Sequence, residues 1–179
     1  MTRIGVLSDT HGTLLPQAYA ALAECDLIFH AGDIGGPDIL RELQTLAPVV
    51  AVLGNNDFAE YGEEVGRFAY PVVEGARFLM AHKPQDVSIS PFGGGGIAPG
   101  DPLPQVIIHG HTHVPKLETG PEARPASLLL CPGSVTRPRS QFGKTLAFIE
   151  VDEGKITCTR IETLNGEVVY SATSHFSAS

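Results

Sequence analysis

Five short apolar runs in this chain end alike, and that repetition restricts the fold more than any other feature. Arg3 to Leu7 leads into Asp9 and His11, Leu27 to Phe29 into Asp33, and Val49 to Leu53 into Asn55. Arg77 to Ala81 leads into His82, and Gln105 to His109 into His111 and His113. Each run has the length and apolar content of a buried β-strand. Leu14 to Ala23 and Asp38 to Leu46, between the first three, read as helices, the second punctuated by Pro37 and Pro48. A βαβαβ opening implies parallel strands joined by right-handed crossovers. The carboxyl ends of such strands gather at one sheet edge, so side chains remote in sequence converge there.

The second half is mainly β, with further strands expected at Leu128 to Cys131, Thr145 to Val151 and Lys155 to Ile161. Turn signals at Asp152-Glu153-Gly154 and Asn165-Gly166 predict a meander or hairpins in a second sheet. At 179 residues the chain accommodates one domain, read as residues 1–170, with Ser171 to Ser179 as a frayed tail. Pro84 to Pro104 carries five prolines and the Gly93 to Gly96 run, which forbid a regular helix. A long loop of this kind is a functional flap or is disordered. Its glycines lack the Gly-Lys-Ser/Thr ending of a phosphate loop.

Composition excludes several classes. A net charge of −8 opposes the basic footprint of a protein that coats a nucleic-acid polymer. No apolar run approaches the roughly 20 residues of a membrane span, and the first residues lack the pattern of a signal peptide. The three cysteines, Cys25, Cys131 and Cys158, contain no Cys-x-x-Cys pair. A disulfide framework or a thiolate zinc site is therefore not expected, and a cytoplasmic setting is.

Asp9, His11, Asp33, Asn55, His82, His111 and His113 supply seven nitrogen and oxygen donors. One Asp-x-His alone would be no more than a turn; the strand-end placement of all seven is what points to metal. Imidazole, carboxylate and amide without thiolate suit Mn, Fe, Co, Ni or Zn in a reactive centre. Seven donors exceed one tetrahedral site but suit two ions roughly 3.5 to 4 Å apart with a shared carboxylate, for which Asp33 is the candidate. His30 and His109 read as core histidines at strand ends, with support of a ligand from behind as their other role.

The ordered set Asp9-x-His11, Gly32-Asp33, Gly54-Asn55-Asn56-Asp57, His82 and Gly110-His111-Thr112-His113 resembles the calcineurin-like metallophosphoesterase superfamily. It looks most like the small YfcE-like phosphodiesterase branch of bacteria and archaea, over about Arg3 to Glu150. The resemblance implies an α/β fold, a four-layer αββα sandwich of two mixed β-sheets. It implies Asp9, His11, Asp33 and His113 around one divalent ion, and Asp33, Asn55, His82 and His111 around a second, with manganese the first choice. It further implies hydrolysis of a small phosphoester, a diester above all, by a hydroxide bridging both ions. Small members of this branch often self-associate, so a homo-oligomer is compatible with it.

The departures are specific. Many members carry His after the metal-binding Asn; here Asn56 fills that slot and can orient a phosphate without supplying a proton. Substrates with acidic leaving groups are therefore expected. Asp33, Asn56 and Asp57 form the catalytic set, with Asp57 holding a ligand or a loop, or simply making the turn. Asn56 and Arg139 are assigned to substrate. Where relatives show His-Gly-His, this chain has His82-Lys83-Pro84, and Lys83 either attracts phosphate or is an exposed turn residue. Cys131-Pro132-Gly133-Ser134 resembles the family's Asn-Pro-Gly-Ser turn, and Arg137 and Arg139 follow it. Two other classes compete: a non-catalytic scaffold like the retromer subunit of this branch, and an amidohydrolase or metallo-β-lactamase-like enzyme. The first should show erosion of the ligand set, whereas all seven positions are filled. The second places His-x-His early, whereas here it comes late.

Overall fold

The computed structural model describes residues 1–58 and 60–176. Strand β1 (Thr2–Leu7) is followed by α1 (Pro16–Leu22), β2 (Leu27–His30), α2 (Pro37–Gln44) and β3 (Val49–Ala51), the βαβαβ opening expected. Both helices start on a proline, whose fixed φ and missing N–H suit the first turn. Helix α2 has Asp38 in its first turn and Arg41 in its last, both favourable to the helix dipole, and buries Ile39, Leu40 and Leu43. Next come β4 (Phe68–Ala69), β5 (Val72–Val73), β6 (Ala76–Ala81), β7 (Val106–Ile108), β8 (Lys116–Thr119), β9 (Leu128–Cys131), β10 (Thr145–Asp152), β11 (Lys155–Thr163) and β12 (Val168–Phe176).

Two mixed sheets face each other. The first has the order β12-β11-β10-β1-β2-β3 and the second β4-β6-β7-β9-β8, with β5 on the edge of β6. Ile4, Val6, Phe29, Phe78, Met80, Ile108 and Ile149 fill the space between them, with Phe29 edge-on to Phe78 at 5.3 Å. Strands β1, β2 and β3 run parallel, as do β6, β7 and β9. The carboxyl ends of β1, β2, β3, β6 and β7 carry the candidate ligands.

The C-terminal meander corrects one expectation. It joins the first sheet, with β10 antiparallel to β1 from Thr2↔Val151 to Val6↔Ala147. There it is buried on both faces: Ala147, Ile149 and Val151 meet the second sheet, while Leu146 and Phe148 meet the helices. A strand apolar on both sides belongs inside a covered sheet. Strand β12 also runs through Ser171 to Phe176, where a frayed tail was expected, and residues 177–179 lie outside the described residues.

The outer layers differ. Helices α1 and α2 cover the first sheet, whereas Leu79, Ala81 and Ile107 of the second are covered by the Pro/Gly-rich segment. That segment forms a 3₁₀ turn at Pro84–Val87 and two tight bridged turns, Ser90↔Gly93 and Gly94↔Ile97. A cavity of about 570 Å³ opens beneath it, lined by Ile89, Ile97, Leu103 and Pro125 among others. Among the described residues no helix is long and apolar enough to cross a membrane.

Candidate metal centre

Five of the seven candidate ligands sit in left-handed backbone: Asp9 (φ 57°), His11 (47°), Asp33 (53°), His111 (70°) and His113 (60°). Among the described residues only Glu74 and Glu153 otherwise do so without being glycine. Such conformations cost of order 1 kcal/mol each and persist where surrounding bonds impose them. Here the loops lace together: Asp9 N–H bonds Gly32 O at 3.0 Å, His11 N–H bonds Asp33 O at 3.0 Å, and Gly110 N–H bonds His82 O at 2.9 Å. Gly54 and Gly110 allow the close approach. A Cβ on Gly54 would overlap the Asp33 carboxylate, and one on Gly110 would overlap the Ser8 hydroxyl.

Within this frame Asp9 Oδ1 lies 3.1 Å from His113 Nε2 and 3.8 Å from both His11 Nε2 and His82 Nε2. Asp33 Oδ2 lies 3.4 Å from His82 Nε2 and 3.9 Å from His11 Nε2. The donor atoms of Asp9, His11 and His113 are all within 4.8 Å of one another, as are those of Asp9, Asp33 and His82. Asp9 thus belongs to both groups, and Asp33 faces a histidine of each. Asn55 and His111 stand together at the more open side, with His111 Nδ1 2.9 Å from Asn55 Oδ1.

Asp9 Oδ1 and His82 Nε2 are buried with no hydrogen-bond partner. Four other buried side-chain atoms among the described residues also lack a partner, but these two face each other at 3.8 Å inside one donor group, where an ion would satisfy both. The histidines are oriented for it. His82 Nδ1 donates to Ala31 O at 2.7 Å and His113 Nδ1 to Arg137 O at 2.6 Å, turning each Nε2 toward the carboxylates. Burial pushes the Asp33 carboxyl up, but His82 and Asn56 together outweigh it and hold the group below the usual carboxylate range. Burial depresses His82, yet Asp33, the Ala31 carbonyl and Asp9 overcome that and raise it. Burial lowers His11 and His111, which favours the neutral, ligating imidazole.

The profile described as "Calcineurin-like phosphoesterase superfamily domain" matches residues 2–154. The chain belongs to that superfamily. It is 36% identical over 176 residues to a probable metallophosphoesterase of Methanothermobacter thermautotrophicus, covering 89% of this chain and 92% of that one. Two solved structures share the fold. One is the E. coli phosphoesterase YfcE, with TM-score 0.69 and 19% identity over 96% of this chain and 98% of that one. The other is the zinc complex of Vps29 from Entamoeba histolytica, with TM-score 0.68 and 18% identity over 97% of this chain and 98% of that one. Membership makes this a metallophosphoesterase domain, a class of hydrolase acting on phosphoester bonds, and its Asp/His clusters suit divalent metals.

The remaining candidates of this metallophosphoesterase are placed as follows. Asn56 donates its backbone N–H to Asp33 Oδ1 at 2.9 Å and its side-chain amide to Oδ2 at 2.7 Å. The Asp57 carboxylate accepts from Ile34, Gly35 and Gly54 N–H and from the Tyr61 hydroxyl, and so ties the loop after β2 to the loop after β3. Arg137 and Arg139 are exposed on the loop whose Arg139 N–H bonds His113 O at 3.1 Å, and Lys83 is half-buried beside His82. His30 is a core histidine: its Nδ1 accepts from Gly32 N–H and its Nε2 meets the Thr10 hydroxyl, which donates to Ile34 O. His109 is likewise buried, its ring 3.0 Å from Gly110 O. Cys131 lies against Gly110 and Thr112, and burial pushes its thiol to about 11, so it adds no thiolate.

Sequence reasoning missed the braces on Asp9. Ser8 Oγ donates to Asp9 Oδ2 at 2.6 Å, while Ser134 and Thr136 hydroxyls donate to Asp9 O at 3.0 and 2.8 Å. Ser134 was visible as part of a family-like turn, but nothing local ties it to a residue so distant in the chain. Tyr61 carried no signal at all.

Proposed function

We propose that this metallophosphoesterase hydrolyses small phosphodiesters with two divalent cations, manganese first, one on Asp9, His11, Asp33 and His113 and the other on Asp33, Asn55, His82 and His111. The observation that carries the reading is the pair of buried, partnerless atoms, Asp9 Oδ1 and His82 Nε2, inside a cage of acids and imidazoles. Paired cations there would lower the pKa of water and neutralise charge on a phosphoryl group. Asp33 supplies negative charge to both ion positions and is kept ionised by its neighbours. Asn56 orients a phosphoryl oxygen through its amide, and Arg139 meets the substrate's outer charge from the rim. The diester assignment is supported by the likeness of the motif set to the phosphodiesterase branch.

Asn56 cannot protonate a leaving oxygen, so the leaving group departs as an anion. A nitrophenyl diester should therefore turn over far faster than an alkyl diester of the same shape; equal rates would defeat this part of the reading. The deciding experiment is elemental analysis of the purified protein beside a phosphoester panel, wild type against Asp33→Ala. Bound metal and turnover in the wild type, both lost in the variant, are expected. The likeness in fold to Vps29 supports a second reading, a protein-binding scaffold, and a wild type without turnover after manganese loading would favour it.

A further inference from the structure

We propose that Asp57 is a positioning residue whose carboxylate sets the affinity of one ion selectively, the ion assigned to Asn55. The inference rests on the two-ion reading above. Asp57 accepts from Ile34 N–H at 3.0 and 3.1 Å, from Gly35 N–H at 3.1 Å, from Gly54 N–H at 2.8 Å and from the Tyr61 hydroxyl at 3.0 Å. Ile34 and Gly35 directly follow Asp33, and Gly54 directly precedes Asn55. One side chain thus pins the loop after β2 to the loop after β3. An ionised carboxylate offers about four lone-pair sites, and this one has donors for all of them.

The two pinned loops depend on that clamp unequally. The Asp33 loop is also tied to the β1 loop through Asp9 N–H to Gly32 O, His11 N–H to Asp33 O and Gly12 N–H to Ile34 O. Asp9 and His113 are braced from elsewhere, by Ser134, Thr136 and the Arg137 carbonyl. The turn from Gly54 to Asp57 has less. Both bonds of Asn56 end on the Asp33 carboxylate, and Asn55 itself meets, among the described residues, the His111 ring, so these attachments run through candidate ligand atoms. Among the described residues, the Asp57 carboxylate is the attachment of this turn that does not. Its loss should free Asn55 while Asp9, His11 and His113 stay in place.

Metal-stripped, full-length wild type, Asp57→Ala, Asp57→Asn and Tyr61→Phe would be titrated with Mn²⁺ alone by calorimetry. Thermal unfolding of each metal-free protein would be recorded in parallel. The wild type is expected to bind two ions. Asp57→Ala should keep one site and weaken the other by roughly 10- to 100-fold, the usual effect of losing a group that orients ligands. Asp57→Asn keeps one acceptor oxygen and should fall between; Tyr61→Phe loses one bond of the set and should stay near wild type. The activity of Asp57→Ala should show reduced kcat at limiting Mn²⁺ that excess Mn²⁺ restores, with KM for substrate little changed. Equal weakening of both sites, or two unchanged sites, would overturn the proposal. If Asp57→Ala does not fold, the Asp57→Asn isotherm decides by the same criterion. A wild type binding fewer than two ions defeats the two-ion reading itself, a result distinct from an Asp57 variant that leaves both sites intact.

Discussion

The inner and outer sides of the centre are built differently. Asp9, Asp33, His82 and His113 are at most 4% exposed and are held by hydroxyls and carbonyls from several loops. Asn55 and Asn56 are exposed, and His111 is only partly covered. Strain follows the same division in part: Asp9, Asp33 and His113 combine left-handed backbone with burial, whereas Asn55 and Asn56 do not adopt it. The inner side resembles a fixed socket made during folding, and the outer side a surface where substrate and an ion can arrive together. Preorganised charge is most effective where water is excluded, so the inner acids are where substitution should matter most.

The largest test of this contrast sets Asp33→Ala against Asn55→Ala. Asp33 is the carboxylate assigned to both ions, so its loss should abolish binding of both, a larger effect than the roughly 10- to 100-fold typical of outer partners. Asn55→Ala should remove one ion; manganese stoichiometry measures both, and equal losses would erase the distinction.

A second test concerns the buried support beneath the inner side. Burial holds His30 down at about 4, with Asp57 and Asp33 pulling upward and His82 and His11 pushing downward. The unfolded chain takes up this proton near pH 6.5 and the folded protein only near 4. Stability is therefore full above pH 6.5 and falls as pH drops through that window, by about 3 kcal/mol at its lower end. Urea unfolding of the metal-free protein across pH 4 to 7 should show this slope, and His30→Gln, which can still accept from Gly32 and donate to Thr10, should flatten it. Parallel slopes would remove His30 from the account.

The smallest effect is expected on the rim. Arg139→Ala should raise KM about 5-fold, the equivalent of about 1 kcal/mol for an exposed charge, and leave kcat and metal content alone. Steady-state kinetics at two ionic strengths would measure it, and an unchanged KM would leave Arg139 a solvated loop cation.

The site was more legible in the sequence than the architecture around it. Each ligand lies just beyond an apolar run, and run and ligand are neighbours in the chain, so His82 or Asp33 can be picked out locally. The neighbour of a strand in its sheet is a choice made across the whole chain. The signal that β10 is buried on both faces, Leu146-Ala147-Phe148-Ile149, is present, yet it does not say which sheet takes it. The braces show the same limit: Ser134 reaches Asp9 across 125 residues, and no local pattern announces that contact. Asp57 was singled out for its place in a motif, but only the geometry distinguishes a clamp on two loops from a group that meets substrate.

Strand β10 lies between β1 and β11, so the first strand made has its neighbour supplied by the last third of the polypeptide. Every candidate metal donor has been synthesised by His113, well before Thr145. During translation the chain therefore holds a full complement of ligands with an unfilled edge beside the one that carries Asp9 and His11. Metal capture should coincide with closure of that edge, so a fragment ending before Thr145 should bind metal poorly despite its complete set of side chains.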